Sequence, residues 1–190
     1  MNERMEPPAA GVDKSEAQKL AEQGRLYYRQ GELDEALAHL QRAHGQYKAT
    51  GDLNGVAETA NDIGVLYTVL RRRSEAEKWL HEAHRMFVEM QDYDGEAQTL
   101  GNLGSMFRAM GDLKQAAANL QLAAARFHLV GDDDRRSATL KVLSIVRLQQ
   151  LRFFQSLAAY EAALACHPHL TIVQKFLRRL FATLLRVWPH

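Results

Sequence analysis

Residues 63–87 read IGVLYTVLRRRSEAEKWLHEAHRMF, and the same pattern returns forty positions to either side, as QGRLYYRQGELDEALAHLQRAHGQY at 23–47 and LGSMFRAMGDLKQAAANLQLAAARF at 103–127. Stepping by forty aligns Gly24, Gly64, Gly104 and Ser144, then Tyr27, Tyr67, Phe107 and Arg147. Three more registers follow: Ala36, Ala76, Ala116 and Ser156; Leu40, Leu80, Leu120 and Tyr160; Ala43, Ala83, Ala123 and Ala163. Registers that agree on one period without insertion mark a repeat architecture, in which each unit buries its apolar face against a neighbour.

Each unit carries two helical patterns. In the second, Ala76, Trp79, Leu80, Ala83 and Phe87 recur at spacings of three and four, the mark of one apolar helix face. Turn signals punctuate the pairs: Gly31-Glu32-Leu33 and Gly111-Asp112-Leu113 within units, Gly51-Asp52 and Gly131-Asp132 between them. Glycine takes the left-handed conformation that ends a helix, and the Asp after it can cap the next. The recurring glycines and alanines fall where the helices of a hairpin approach closely, and the tyrosines and leucines fill the gaps between units. No alternating stretch of strand length occurs, so the reading contains no sheet.

The set Leu20, Gly24, Tyr27, Gly31, Ala36, Leu40 and Ala43 resembles the tetratricopeptide repeat, with its small residue at position eight, aromatic at eleven, and alanines at twenty and twenty-seven. Ile63-Gly64 with Tyr67, and Asn102-Leu103-Gly104 with Phe107, match it better. The family's usual unit has 34 residues; this chain resembles the longer, 40-residue variety of kinesin-light-chain-like and Pins-like arrays. The resemblance implies an all-α superhelical solenoid of four helix-turn-helix units at 14–52, 53–92, 93–132 and 133–168. The fourth is divergent, with Ser144, Arg147, Leu151 and Ser156 in place of glycine, aromatic, turn glycine and alanine, although Pro168 stands where the family's helix-ending proline does. Residues 1–13 read as a disordered tail. Residues 169–188 read as an amphipathic capping helix, with Leu170, Val173, Leu177, Leu180 and Leu184 on one face and Ile172, Phe176, Phe181 and Leu185 widening it. Lys175, Arg178, Arg179 and Arg186 argue against a transmembrane helix there, and leave a dimer surface or a membrane-surface helix over 170–188 as the alternatives to a cap.

In that family, positions two, five, six, nine and twelve of each unit face the concave groove. Carried over, the resemblance implies a peptide-binding set of Glu22, Arg25, Tyr28, Glu58, Asn61, Asp62, Gln98, Asn102, Ser105, Arg108 and Lys141, with Ala138, Val142, Ile145 and Leu148 beside Lys141 in the fourth unit. Chaperone-binding members grip a terminal carboxylate with Lys, Asn and Arg at fixed places. Here those places hold Ala21, Arg25, Asp62, Gln98 and Asn102, so the acidic tail of a heat-shock chaperone is disfavoured as a partner.

Chemistry-bearing constellations are poor. His81 and His84 lie one turn apart with Glu77 a turn earlier, and His44 stands one repeat before His84, but a metal site needs a third ligand and supporting partners. Asp132-Asp133-Asp134 lacks the ligand spacing of a calcium loop and reads as an interhelix loop with a cap. The glycines serve packing and turns rather than a phosphate loop. Ser105, Ser144 and Cys166 have no His and acid at catalytic spacing, and one cysteine excludes a disulfide framework. The expectation is a cytoplasmic, non-enzymatic protein-binding scaffold without cofactor, metal or specific nucleic-acid recognition. Its alternatives are a basic end that docks an anionic surface, nucleic acid or membrane, and homo-oligomerisation.

Composition agrees with this class: 190 residues, 46% hydrophobic, 25% charged, with Gly 12 and Pro 4, argue against collagen, low-complexity disorder and a loop-rich β fold. The net charge of +1 conceals an asymmetry. Residues 1–134 hold 15 basic and 22 acidic side chains, a balance of −7, while residues 135–190 hold 9 basic and only Glu161 acidic, a balance of +8.

Overall fold

The computed structural model describes residues 14–167 and 170–187, with side chains over 16–167 and 170–183. The tail at 1–13, Pro168, and the side chains of Leu184, Leu185 and Arg186 lie outside the described residues. The chain divides into two compact units, Met1–Glu89 and Met90–His190. The first contains α1 (Lys14–Gln30), α2 (Leu33–Thr50), α3 (Leu53–Val69) and α4 (Arg73–Glu89). The second contains α5 (Tyr93–Ala109), α6 (Leu113–Leu129), α7 (Asp133–Gln149), α8 (Phe153–Ala165) and α9 (Ile172–Val187). Among the described residues there is no strand.

Turn chemistry sets the helix lengths. Gly31, Gly51, Gly111 and Gly131 adopt φ of +84°, +71°, +84° and +75°, the left-handed region open to glycine at little cost. The same place in the other turns is held by Arg71, Gln91 and Leu151, at φ of +59°, +57° and +60°. Aspartates start the following helices: Asp52, Asp92, Asp112 and Asp132 accept from the amides of Gly55, Gly95, Gln115 and Arg135 at 3.1, 3.0, 3.1 and 2.8 Å. Each such cap contributes on the order of 1 kcal/mol. Glu32 occupies the corresponding place before α2 and makes no side-chain cap.

Within each hairpin the repeat registers meet. A Cβ placed on Gly24, Gly64 or Gly104 would come within 2.7, 2.6 and 2.6 Å of Cγ of Leu40, Leu80 and Leu120, so the missing side chain is what lets α1–α2, α3–α4 and α5–α6 close up. Those leucines are almost wholly buried, as are Ala36, Ala43, Ala76, Ala83, Ala116 and Ala123. Trimming one such leucine to alanine costs about 2–5 kcal/mol. Thr59 and Thr99, again forty apart, are buried because each hydroxyl donates to its own helix, to Gly55 O at 2.6 Å and Gly95 O at 2.9 Å.

The fourth hairpin, α7–α8, closes differently. Ser144 and Ser156 are both buried with their hydroxyls 3.0 Å apart, and Ser137 donates to Ala163 O at 2.9 Å. Tyr160, in the leucine register, sets its ring edge-on to Phe181 of α9 at 6.0 Å. The last helix starts at Ile172, later than its apolar pattern suggests. Thr171 and Gln174 form a capping box, Gln174 N donating to Thr171 Oγ1 at 3.3 Å and Thr171 N to Gln174 Oε1 at 2.9 Å. Phe181 and Arg178 meet α8 and Leu177 is half-buried, whereas Val173 and Leu180, expected on the same face as Leu177, are exposed. Leu170 precedes the helix. Among the described residues no helix is long and apolar enough to cross a membrane.

Candidate functional site

The groove-facing positions fall into two clusters, one in each compact unit. In the first, α1 and α3 are joined by Arg25. Its Nε donates to Asp62 at 2.7 Å and its Nη2 to Glu58 at 3.3 Å, while Asn54 donates to Glu58 at 3.0 Å and Gln18 to Glu22 at 3.0 Å. Burial pushes the Asp62 carboxyl above its ordinary value even though the Arg25 guanidinium pulls it down. For Arg25, burial lowers its pKa, and the two carboxylates more than reverse that. Arg25 thus meets two carboxyl groups of α3, while Glu22 on α1 is engaged by Gln18. Tyr28 is exposed at the end of α1, and Asn61 is half-buried beside Asp62.

In the second unit, α5 and α7 flank a pocket of about 270 Å³. Gln98, Asn102 and Ser105 rim it from α5, and Gly101 among them leaves open space where a side chain would stand. Ala138 and Val142 face them from α7, and Leu120 and Phe127 of α6 contribute apolar lining. Three of the residues expected at this place therefore come together on one pocket. Arg108 and Lys141 are exposed and are not among the residues that line it.

Arg135, Thr139 and Phe127 were missed by the positional reading. The Arg135 guanidinium stacks 4.9 Å over the Phe127 ring and pairs with Asp94 and Asp132, so its charge is held at the pocket edge by a cation–π contact and two carboxylates. Phe127 was within reach of sequence: Tyr47, Phe87 and Phe127 stand forty apart, an aromatic register in the second helices. The Asp132–Arg135 pair is local, three residues apart at the start of α7, but Asp94 and Phe127 become partners of Arg135 only through packing against α5 and α6.

The histidines and triple aspartate go elsewhere. His44 lies 3.1 Å from the Thr59 hydroxyl and edge-on to Trp79 at 5.0 Å. Asp132 caps α7, and Asp134 lies 3.5 Å from His167. Among the described residues no group of three or more His, Cys, Asp or Glu is arranged to hold a metal ion. Cys166 is buried, its thiol directed to Ala162 O at 3.3 Å, and burial pushes its pKa up.

Residues 15–89 match the family model described as tetratricopeptide repeat. Among solved structures, BtubC (BKLC) from P. vanneervenii has a TM-score of 0.74 at 21% identity, over 84% of this chain and 69% of that one. A putative kinesin light chain from P. anserina, with nearly identical TPR-like repeats, has a TM-score of 0.52 at 14% identity, over 92% of this chain and 93% of that one. At these identities the likeness concerns the fold. Comparison with curated proteins gave no match. Residues 15–89, the first two hairpins, therefore match the tetratricopeptide-repeat model, and the chain has the all-α fold of the solved repeat structures it resembles.

Proposed function

We propose that this chain is a non-enzymatic scaffold that holds a partner's peptide or helix on the faces of its first helices. Tetratricopeptide repeats generally mediate protein–protein interaction. The observation that carries the finer reading is the pocket between α5 and α7, where the Gln98, Asn102 and Ser105 rim meets an apolar lining from Val142, Leu120 and Phe127. An amide can both donate to a main-chain carbonyl and accept from a main-chain N–H, and a small apolar recess takes one side chain of an anchored segment. The acid-rich face, with Glu58 and Asp62 on Arg25 and Glu22 on the same helix as Arg25, suits a cationic or amide-bearing stretch and repels a terminal carboxylate.

The test is selection from a displayed peptide library, followed by calorimetry with the selected peptides. Gln98→Ala with Asn102→Ala is expected to weaken binding at least about tenfold. Gly101→Leu, which enters open space, is expected to block the recess without loss of thermal stability. Peptides that bind all three proteins alike would remove the pocket from the reading.

A further inference from the structure

We infer that α9 is a surface-binding helix for anionic phospholipid bilayers, lying flat with its exposed apolar ridge among the acyl chains. This does not rest on the peptide-binding reading.

The rotation of α9 is set by what it leaves on α8. Phe181 meets the Tyr160 ring, and Arg178 Nε donates to Glu161 at 3.1 Å. That orientation turns Ile172, Val173, Phe176 and Leu180 outward, at 86%, 66%, 66% and 41% exposure. Positions 172, 176 and 180 follow one another at successive turns, so they make a continuous ridge rather than scattered apolar residues. Lys175 and Arg179, also four apart and exposed, run along one edge of it. No acidic residue follows Glu161 in the sequence, and the Glu161 carboxylate is engaged by Arg178. Lys175, Arg178 and Arg179 thus share the space beside one carboxylate, Glu161, and the edge carries a net positive charge.

That charge selects the occupant. A second α9 packed on the ridge would bring two cation-only helices together, and like charges at that range oppose pairing. A convex ridge also needs a complementary groove in any folded partner. A bilayer containing anionic lipid meets both needs, taking the ridge into its acyl boundary while the long Lys and Arg stems reach the phosphates. Lys175, Arg178 and Arg179 interrupt the apolar residues of α9, so it lies on the surface rather than spanning it.

The experiment is co-sedimentation of the full chain with extruded vesicles, either pure phosphatidylcholine or phosphatidylcholine carrying about a third phosphatidylserine. Binding to the anionic vesicles is expected to exceed binding to the neutral ones at least about tenfold and to fall steeply with salt. Lys175→Gln with Arg179→Gln is expected to lower the partition about 25-fold, roughly fivefold for each cation. Ile172→Gln with Phe176→Gln is expected to lower it at least about tenfold, with the melting curve unchanged because both residues are exposed. The inference is overturned by failure to bind anionic vesicles at low salt, by equal binding to neutral ones, or by indifference to either variant. It is overturned equally by a salt-dependent complex with duplex DNA in place of vesicle binding, or by light scattering that shows a dimer lost in Ile172→Gln with Phe176→Gln.

Discussion

The hydroxyls of Ser144 and Ser156 face each other at 3.0 Å in the buried seam between α7 and α8, at the register where Gly24, Gly64 and Gly104 sit beside alanine and leucine. In the first three hairpins that seam is sealed by a leucine driven onto a glycine. In the fourth, Tyr160 replaces the leucine and sets its ring edge-on to Phe181, and the two serines satisfy one another. Two departures from the repeat are thus one compensated change.

Coupling across that pair is measurable. Ser144→Ala alone leaves the Ser156 hydroxyl without its partner and is expected to cost about 1 kcal/mol. Adding Ser156→Ala should cost less than the sum of the two single changes. Urea denaturation of the four proteins of the cycle measures the difference; strict additivity would mean that the serines do not support each other.

Close approach of the helices predicts opposite outcomes for two glycines. Gly64→Ala puts a Cβ 2.6 Å from Leu80 Cγ and 3.1 Å from its backbone nitrogen, and is expected to destabilise by about 1–3 kcal/mol. Gly45→Ala, on an exposed stretch of α2 with open space around it, is expected to stabilise by about 0.5–1 kcal/mol through helix propensity. Thermal melts of the two variants should therefore move in opposite directions.

Leu151 occupies the left-handed turn position at φ +60° with 74% of its surface exposed, so its side chain packs little to offset the strain. Leu151→Gly is expected to stabilise the chain by about 1 kcal/mol. A lowered melting temperature would show that the exposed leucine contributes packing after all.

Burial of His44 against Thr59 and Trp79 pushes its pKa below the ordinary 6.5, although Glu82 pulls the other way. The folded chain then binds fewer protons than the unfolded chain between the lowered value and 6.5. The corresponding stability is fully present above 6.5 and is lost as the pH falls toward the folded value. Urea midpoints measured at about pH 8 and about pH 5.5 should differ less in His44→Gln than in the wild type. An unchanged difference would assign the pH dependence to other groups.

Much of the fold was legible because it rests on local rules repeated at a fixed interval. Gly24, Gly64 and Gly104 sit wherever a leucine sixteen residues later must press on the partner helix, and Asp52, Asp112 and Asp132 follow the turn glycines as caps. The left-handed turns at Arg71 and Gln91 gave no such sign, because the backbone there is imposed by the flanking helices rather than favoured by the residue. The start of α9 was misjudged for a related reason: apolar spacing runs back past Thr171, but the capping box ends it.

The candidate site was legible as positions and not as partnerships. Gln98, Asn102 and Ser105 were identified by their place in the unit, and they do share a pocket. Spacing could not show that Arg25 is held by Asp62 and Glu58, thirty-seven and thirty-three residues away, or that Arg135 stacks on Phe127 and pairs with Asp94.

Period, helix pairs and capping chemistry belonged to the amino-acid sequence, since each depends on residues within a few turns of one another. Tertiary structure decided which charges are already paired, how the fourth hairpin seals itself, and which side of α9 faces outward. Those outcomes depend on side chains brought together from separate helices, where burial makes a partner obligatory and chain distance carries no information.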